Sequence, residues 1–252
     1  MASVKFIGAG PGDPELITVK AQKAILEADV IIYAGSLVPP QVIENRKSNA
    51  LVMNSASMNL DEIVEAMKTA HAKNQKVARV HTGDPSIYGS IREQMEELDK
   101  LGITYEVIPG VSSFLGAAAV IRKEFTVPGI SQTVICTRME GRTPVPELEQ
   151  IEKLASHKTS MAIFLSVGMI EVLAERLSKH YRPDTPMAVV QRATWADQKI
   201  VKATLDTIVE KVKAENITKT AMILIGDFLG DAYENSLLYA KHFSHEFRKG
   251  TN

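Results

Sequence analysis

Short apolar runs alternate along the chain with stretches whose apolar positions recur every three or four residues, the two periods that separate strands from amphipathic helices. Residues 4–7 read as a strand, and from Thr18 the spacing changes so that Ala21, Ala24, Ile25 and Ala28 share one helical face. The wholly apolar run 30–33 suits a strand covered on both sides. Asn59 followed by Glu62 has the form of a capping box, and Leu60, Ile63, Val64 and Met67 continue it at helical spacing. A strand at 77–80, a helix over about 91–101 stopped by Gly102, and a strand at 105–108 complete the series. Repeated β-α-β units of this kind predict a mostly parallel sheet covered by helices.

The pattern breaks at EFTVPGI, within residues 122–130, and a second series begins. Strands are expected at 133–137, 161–165, 187–190, 199–202 and 221–225, with helices near 147–155, 169–180 and 205–214. Only QRATWADQ separates MAVV from KIVKAT, a spacing that suits a hairpin-like connection and therefore a mixed sheet. The expectation is two α/β domains, 1–125 and 126–252, with a cofactor cleft between them.

Composition narrows the classes. With 45% apolar and 23% charged residues and no apolar run of ~18 or more, no membrane span is expected, and the opening residues do not resemble a secretion signal, so the expected location is cytoplasmic. Lys and Arg total 29 against 30 Asp and Glu, which argues against a broad nucleic-acid surface. Cys136 is the sole cysteine, so no intramolecular disulfide forms, and its strand-like surroundings predict a buried, inert thiol. No metal site is expected: the histidines show no ligand spacing beyond the loose pair His242 and His245.

Chemistry concentrates in three glycine-bearing turns that follow strands of the first half. GAGPGDPELIT superficially resembles a dinucleotide loop, which needs free backbone N–H groups and a helix N-terminus aimed at the pyrophosphate. Pro11 and Pro14 each delete a donor, and Asp13 and Glu15 bring negative charge. The acidic residue expected after the second strand is also missing, because VIIYAGS runs on into Gly35 and Ser36. The loop suits a ligand without phosphates, and a cationic one fits its carboxylates; a plain strand-to-helix turn is the competing reading. HTGDPSIYG and IPGVSS follow two further strands, so all three turns should emerge at the carboxyl edge of the sheet, where open α/β sheets bind ligands. Asp84 is either a ligand contact or a turn residue, Ser112 either a helix cap or a lining residue, and His81 stays unassigned.

GAGPGDPELIT, HTGDPSIYG, IPGVSS, TVICTRMEGRTPVP, PMAVVQRATWADQKIV and TAMILIG, in this order over nearly the whole chain, resemble the tetrapyrrole methylase family of S-adenosylmethionine-dependent enzymes. YAGSLVP, TRMEGRTPVPE, RATWADQ and FRKG are similar to the branch that methylates C-11 of precorrin-4 or its cobalt form in cobalamin biosynthesis. Thr82-Gly83-Asp84 and Ser166-Val167 depart from the Gly-Gly-Asp and Met-Gly pairs of the uroporphyrinogen branch. The resemblance implies a homodimer acting on a precorrin; composition adds the expectation of no nucleic acid or membrane partner. It implies S-adenosyl-L-methionine contacts at Pro11, Thr82, Gly83, Asp84, Ile87, Ser112 and Ser113, and at Ser166, Ala193 and Ala221 in the second series.

The chemistry so implied is displacement at an activated methyl group, in which positioning supplies much of the acceleration. No catalytic base is assigned. The substrate's carboxylates suit arginine forks, with Arg138 and Arg142 first and Arg122 and Arg192 behind them, while Trp195 is a candidate wall for an apolar macrocycle. Methylation of a protein or of ribosomal RNA, uroporphyrinogen methylation, a dinucleotide oxidoreductase and a non-catalytic binding module are the competing readings.

Overall fold

A computed structural model describes residues 3–251. The chain forms two compact units, residues 1–116 with 192–198, and 117–191 with 199–252. The join therefore falls a little before the expected 125/126, and a loop from the second series is counted with the first unit.

The first unit contains β1 (Val4–Gly8), α1 (Val19–Glu27), β2 (Val30–Tyr33), β3 (Leu51–Asn54), α2 (Leu60–Ala72), β4 (Val77–His81), α3 (Arg92–Lys100), β5 (Tyr105–Ile108) and the start of α4 (Ser113–Ile121). Its strands lie in the order β3-β2-β4-β1-β5, all parallel. Because side chains alternate across a strand, neighbours in sequence serve opposite layers. Ile7, Ile31, Val80 and Ile108 pack with Ala21, Ala24 and Ile25 of α1. Val4, Phe6, Ile32 and Val77 pack with Ile63 and Met67 of α2 and Leu98 of α3. Burying each Ile or Phe contributes ~1.5–3 kcal/mol, so both faces of the sheet hold the layers together.

The expected starts and stops are present. Thr18 Oγ1 accepts the Ala21 N–H at the head of α1, and Asn59 and Glu62 form both halves of the capping box on α2. Gly102 ends the α3 region with φ +65°. Strand β3 was not expected; it is a short edge strand with half-buried or exposed residues, so its sequence carries little periodic signal.

The second unit adds β6 (Val134–Arg138), α5 (Ile151–Ala155), β7 (Ser160–Phe164), α6 (Ile170–Leu177), β8 (Pro186–Gln191), β9 (Lys199–Thr204), α7 (Ile208–Ala214) and β10 (Ala221–Ile225). The order is β6-β7-β10-β8-β9; β6 and β7 are parallel and every other pairing is antiparallel, so the sheet is mixed as expected. Ile151, Leu173, Leu177, Ile208 and Val212 from the three helices pack on Met161, Ile163, Met187, Val189, Ile223 and Ile225. The helices are shorter than their sequence spans because 3-10 turns at Glu147–Glu149 and Val167–Met169 precede the first two.

Cys136 departs from expectation. It is exposed, because β6 is an edge strand and the apolar run around the cysteine borders solvent on one side. What burial it retains raises the thiol pKa, which keeps it protonated and slow to react.

Candidate functional site

The order β4-β1-β5 brings the carboxyl ends of three neighbouring strands together, and each ends in one of the glycine turns. Contact there is backbone to backbone. A Cβ on Gly8 would lie 2.5 Å from Gly110 N, and one on Gly110 would lie 2.2 Å from Gly83 O. Gly10 and Gly83 exchange hydrogen bonds, Gly10 N–H to Gly83 O at 3.2 Å and Gly83 N–H to Gly10 O at 2.8 Å. Gly83 also needs its left-handed φ of +60°. These turns are thus glycine-bearing because three main chains meet without room for side chains.

The first turn has few donors left for a phosphate. Gly10 N–H is spent on Gly83, Asp13 N–H on Thr194 Oγ1 at 2.9 Å, and Glu15 N–H on Asp13 Oδ1 at 2.9 Å. Pro11 and Pro14 have none; a single 3-10 turn, Pro14–Leu16, begins here, but its N-terminus is already capped by the Asp13 carboxylate, and α1 starts only at Val19. Among residues 9–16, Gly12 alone keeps its N–H. A pyrophosphate cradle is absent on this geometry, and the surviving character is carboxylate and carbonyl oxygen, which suits a cationic nucleoside.

Pro11 and Ala193 are both buried, and both belong to the first unit. Trp195 Nε1 donates to Pro11 O at 3.0 Å, and a Cβ on Gly12 would lie 2.1 Å from the indole Cδ1 and 2.9 Å from Ala193 O. The tryptophan, half-buried, therefore clamps the first turn.

The second turn is held from two directions. Asp84 Oδ1 accepts Ser86 N–H at 2.8 Å and Oδ2 accepts Gly110 N–H at 2.9 Å, so its carboxylate is both a turn residue and the tie between the second and third turns. Thr82 is half-buried and Ile87 exposed beside it. Beneath, buried Arg79 donates through Nε to Gln94 Oε1 at 3.0 Å, and Gln94 Nε2 donates to Ser90 O at 2.8 Å. This relay fixes a loop in which Tyr88 and Ser90 hold φ of +55° and +49°. Burial lowers the Arg79 pKa to about 10; burial, then the Arg79 charge, lowers that of His81 to about 3, so the imidazole is neutral. In the third turn Ser112 is buried and Ser113 opens α4, with Ser112 O accepting the Leu115 and Gly116 N–H groups.

Ser166, Ala221, Arg138 and Arg142 lie in the second unit. Ser166 is fully buried; its hydroxyl donates to Phe164 O at 2.7 Å and accepts Met139 N–H at 2.9 Å, clipping the ends of β6 and β7. Ala221 opens β10 opposite Gln191. Arg138 donates to the carbonyls of Met139, Thr143 and Pro144, shaping the loop that carries exposed Arg142. Sequence reasoning missed the roles of Thr194, Trp195, Arg79 and Gln94; Thr194 and Trp195 act on residues more than 180 positions away, and Arg79 meets Gln94 across 15. No group of three or more His, Cys, Asp or Glu that could hold a metal occurs among the described residues.

The first unit is thus a parallel sheet bearing three fused glycine turns at its carboxyl edge, and the second a mixed α/β sheet unit. The profile of the Tetrapyrrole (Corrin/Porphyrin) Methylases matches residues 3–209, and the chain belongs to this family. It is 56% identical over 248 residues to the cobalt-precorrin-4 C(11)-methyltransferase of Methanocaldococcus jannaschii, spanning 98% of this chain and 96% of that one. The solved structure of the cobalamin biosynthetic enzyme cobalt precorrin-4 methyltransferase, CbiF, superposes with a TM-score of 0.89 at 45% identity, covering 90% of this chain and 96% of that one. The uroporphyrin-III C-methyltransferase of Thermus thermophilus, solved with S-adenosyl homocysteine, has a TM-score of 0.75 at 26% identity, covering 91% of this chain and 94% of that one. The chain is accordingly a methyltransferase.

Proposed function

We propose that the protein transfers a methyl group from S-adenosyl-L-methionine to C-11 of cobalt-precorrin-4 in cobalamin biosynthesis, as a cytoplasmic homodimer. The observation that carries the cofactor reading is the meeting of the three turns: close main-chain approach at Gly8, Gly83 and Gly110 with the first turn's donors already spent. When bound, S-adenosyl-L-methionine supplies a methyl group activated by a positively charged sulfur. Pro11, Thr82, Gly83, Asp84, Ile87, Ser112, Ser113 and Ala193 would hold it from the first unit, and Ser166 and Ala221 are proposed contacts from the second.

The chain's own task is orientation, since a nucleophilic ring carbon needs in-line placement more than covalent help. The neutral state of His81 fits this, because a buried imidazole with so low a pKa is a poor proton acceptor near neutrality. Arg142 is proposed to meet a substrate carboxylate, with Arg138 setting its loop. Among the described residues no helix is long and apolar enough to cross a membrane. Exposed Tyr233, Leu237, Tyr239 and Phe247 support an apolar contact with a second copy.

The test incubates purified protein with labelled S-adenosylmethionine and, separately, cobalt-precorrin-4 and metal-free precorrin-4, reading product mass. A singly methylated cobalt product at the higher kcat/KM is expected; preference for the metal-free ring would reassign the substrate, and methylation of neither would remove the proposal.

A further inference from the structure

The geometry points to Trp195, with Thr194, as positioning residues for the methyl donor: they set the main chain of Pro11–Gly12–Asp13 from a loop far away in sequence. The inference rests on the reading that this turn borders the cofactor. Three contacts converge on three consecutive residues. The indole N–H holds Pro11 O at 3.0 Å, the indole edge covers Gly12, and Thr194 Oγ1 takes Asp13 N–H at 2.9 Å. Gly116 also lies against Pro11, where a Cβ would sit 2.8 Å from the proline Cβ.

The clamp is itself constrained. Arg192 and β-branched Thr194 hold φ of +49° and +70°, conformations that cost ~1–3 kcal/mol each and persist only when surroundings fix them. The fixing groups are visible: Thr194 N–H donates to Gln198 Oε1 at 3.0 Å, the Arg192 guanidinium sits 4.1 Å above the Trp195 ring, and its Nε lies 3.0 Å from Asp197 Oδ1. A loop built at such cost to present one N–H and one hydroxyl to a neighbouring turn is a positioning device, because neither group is needed to fill space.

The test compares Trp195→Phe, which keeps an aromatic ring over Gly12 and deletes the N–H, with Thr194→Val, which keeps shape and deletes the acceptor. Calorimetry with S-adenosylhomocysteine should show Kd raised about tenfold in each, equivalent to ~1.4 kcal/mol. KM for S-adenosylmethionine should rise in parallel while kcat and the tetrapyrrole KM change less than about twofold, and Thr194→Ser should retain the wild-type affinity. Unchanged Kd in both variants overturns the inference, as does a loss spread equally over both KM values and kcat that tracks a fall in Tm. Wild-type protein that fails to bind S-adenosylhomocysteine would overturn the cofactor reading and this inference with it; wild-type binding matched by both variants overturns this inference alone.

Discussion

The two sheets have five strands each, but they differ in what their ends do. In the first, every pairing is parallel, so β1, β4 and β5 all finish at one edge and their glycine turns fuse there. In the second, β8, β9 and β10 run in alternating directions, and strand ends are divided between two edges. The first unit's central turns are glycine-locked, whereas the second is held by side chains: Arg176 forks onto Glu152 through two 2.6 Å bonds and also pairs with Glu140. A parallel sheet concentrates chemistry at one edge but needs main-chain contact to do so. A mixed sheet tolerates more at its rims.

The largest expected break in this contrast is Gly110→Ala, whose methyl would meet Gly83 O and the Gly8 main chain; overpacking of this kind should cost about 3 kcal/mol. Gly141→Ala in the second unit meets only Met169 Cε at 3.6 Å and should shift stability by less than ~0.5 kcal/mol. Urea melts of the two variants check the pair, and equal losses would remove the distinction.

Next in size is a pH effect confined to the first unit. The His81 pKa is lowered from 6.5 to about 3, so below pH 6.5 the unfolded chain takes up a proton that the folded chain refuses. Stability is full above that value and declines as pH falls toward 3, by roughly 2 kcal/mol at pH 5. His81→Asn should flatten Tm between pH 6.5 and 5, a window above the range in which carboxylates such as Glu152, lowered to about 2 chiefly by the Arg176 hydrogen bonds, titrate.

In the second unit, Arg176→Met removes a partly exposed fork and should cost about 1 kcal/mol after allowing for solvent screening, with Arg176→Lys intermediate. A thermal melt at low and high salt checks it, the difference narrowing as salt rises. Cys136→Ser should be smallest, within ~0.5 kcal/mol, and wild-type Cys136 should alkylate more slowly than free cysteine at pH 8 because its pKa is raised.

Much of this was legible in the sequence for a physical reason: core strands covered on both faces read as short apolar runs, as at Phe6 and Ile7 on opposite faces, and the helices carry a period of 3.6 with caps such as Asn59. Edge elements were not, since β3 and the exposed side of Cys136 lack the burial that imposes a pattern. The three turns were readable as a group because parallel topology dictates where they emerge. Their internal wiring was not: Asp84's tie to Gly110, the Arg79–Gln94–Ser90 relay and the hold of Trp195 on Pro11 depend on partners that local spacing cannot reveal.

Pro11 and Trp195 stand 184 positions apart. A ribosome that has released the first five strands has therefore not yet supplied what closes over their leading turn, and at ~5–20 residues per second that lag lasts seconds to tens of seconds. An early fragment ending before the β8–β9 hairpin should collapse into a sheet yet leave its glycine edge ajar, so that competence for the methyl donor comes late in translation.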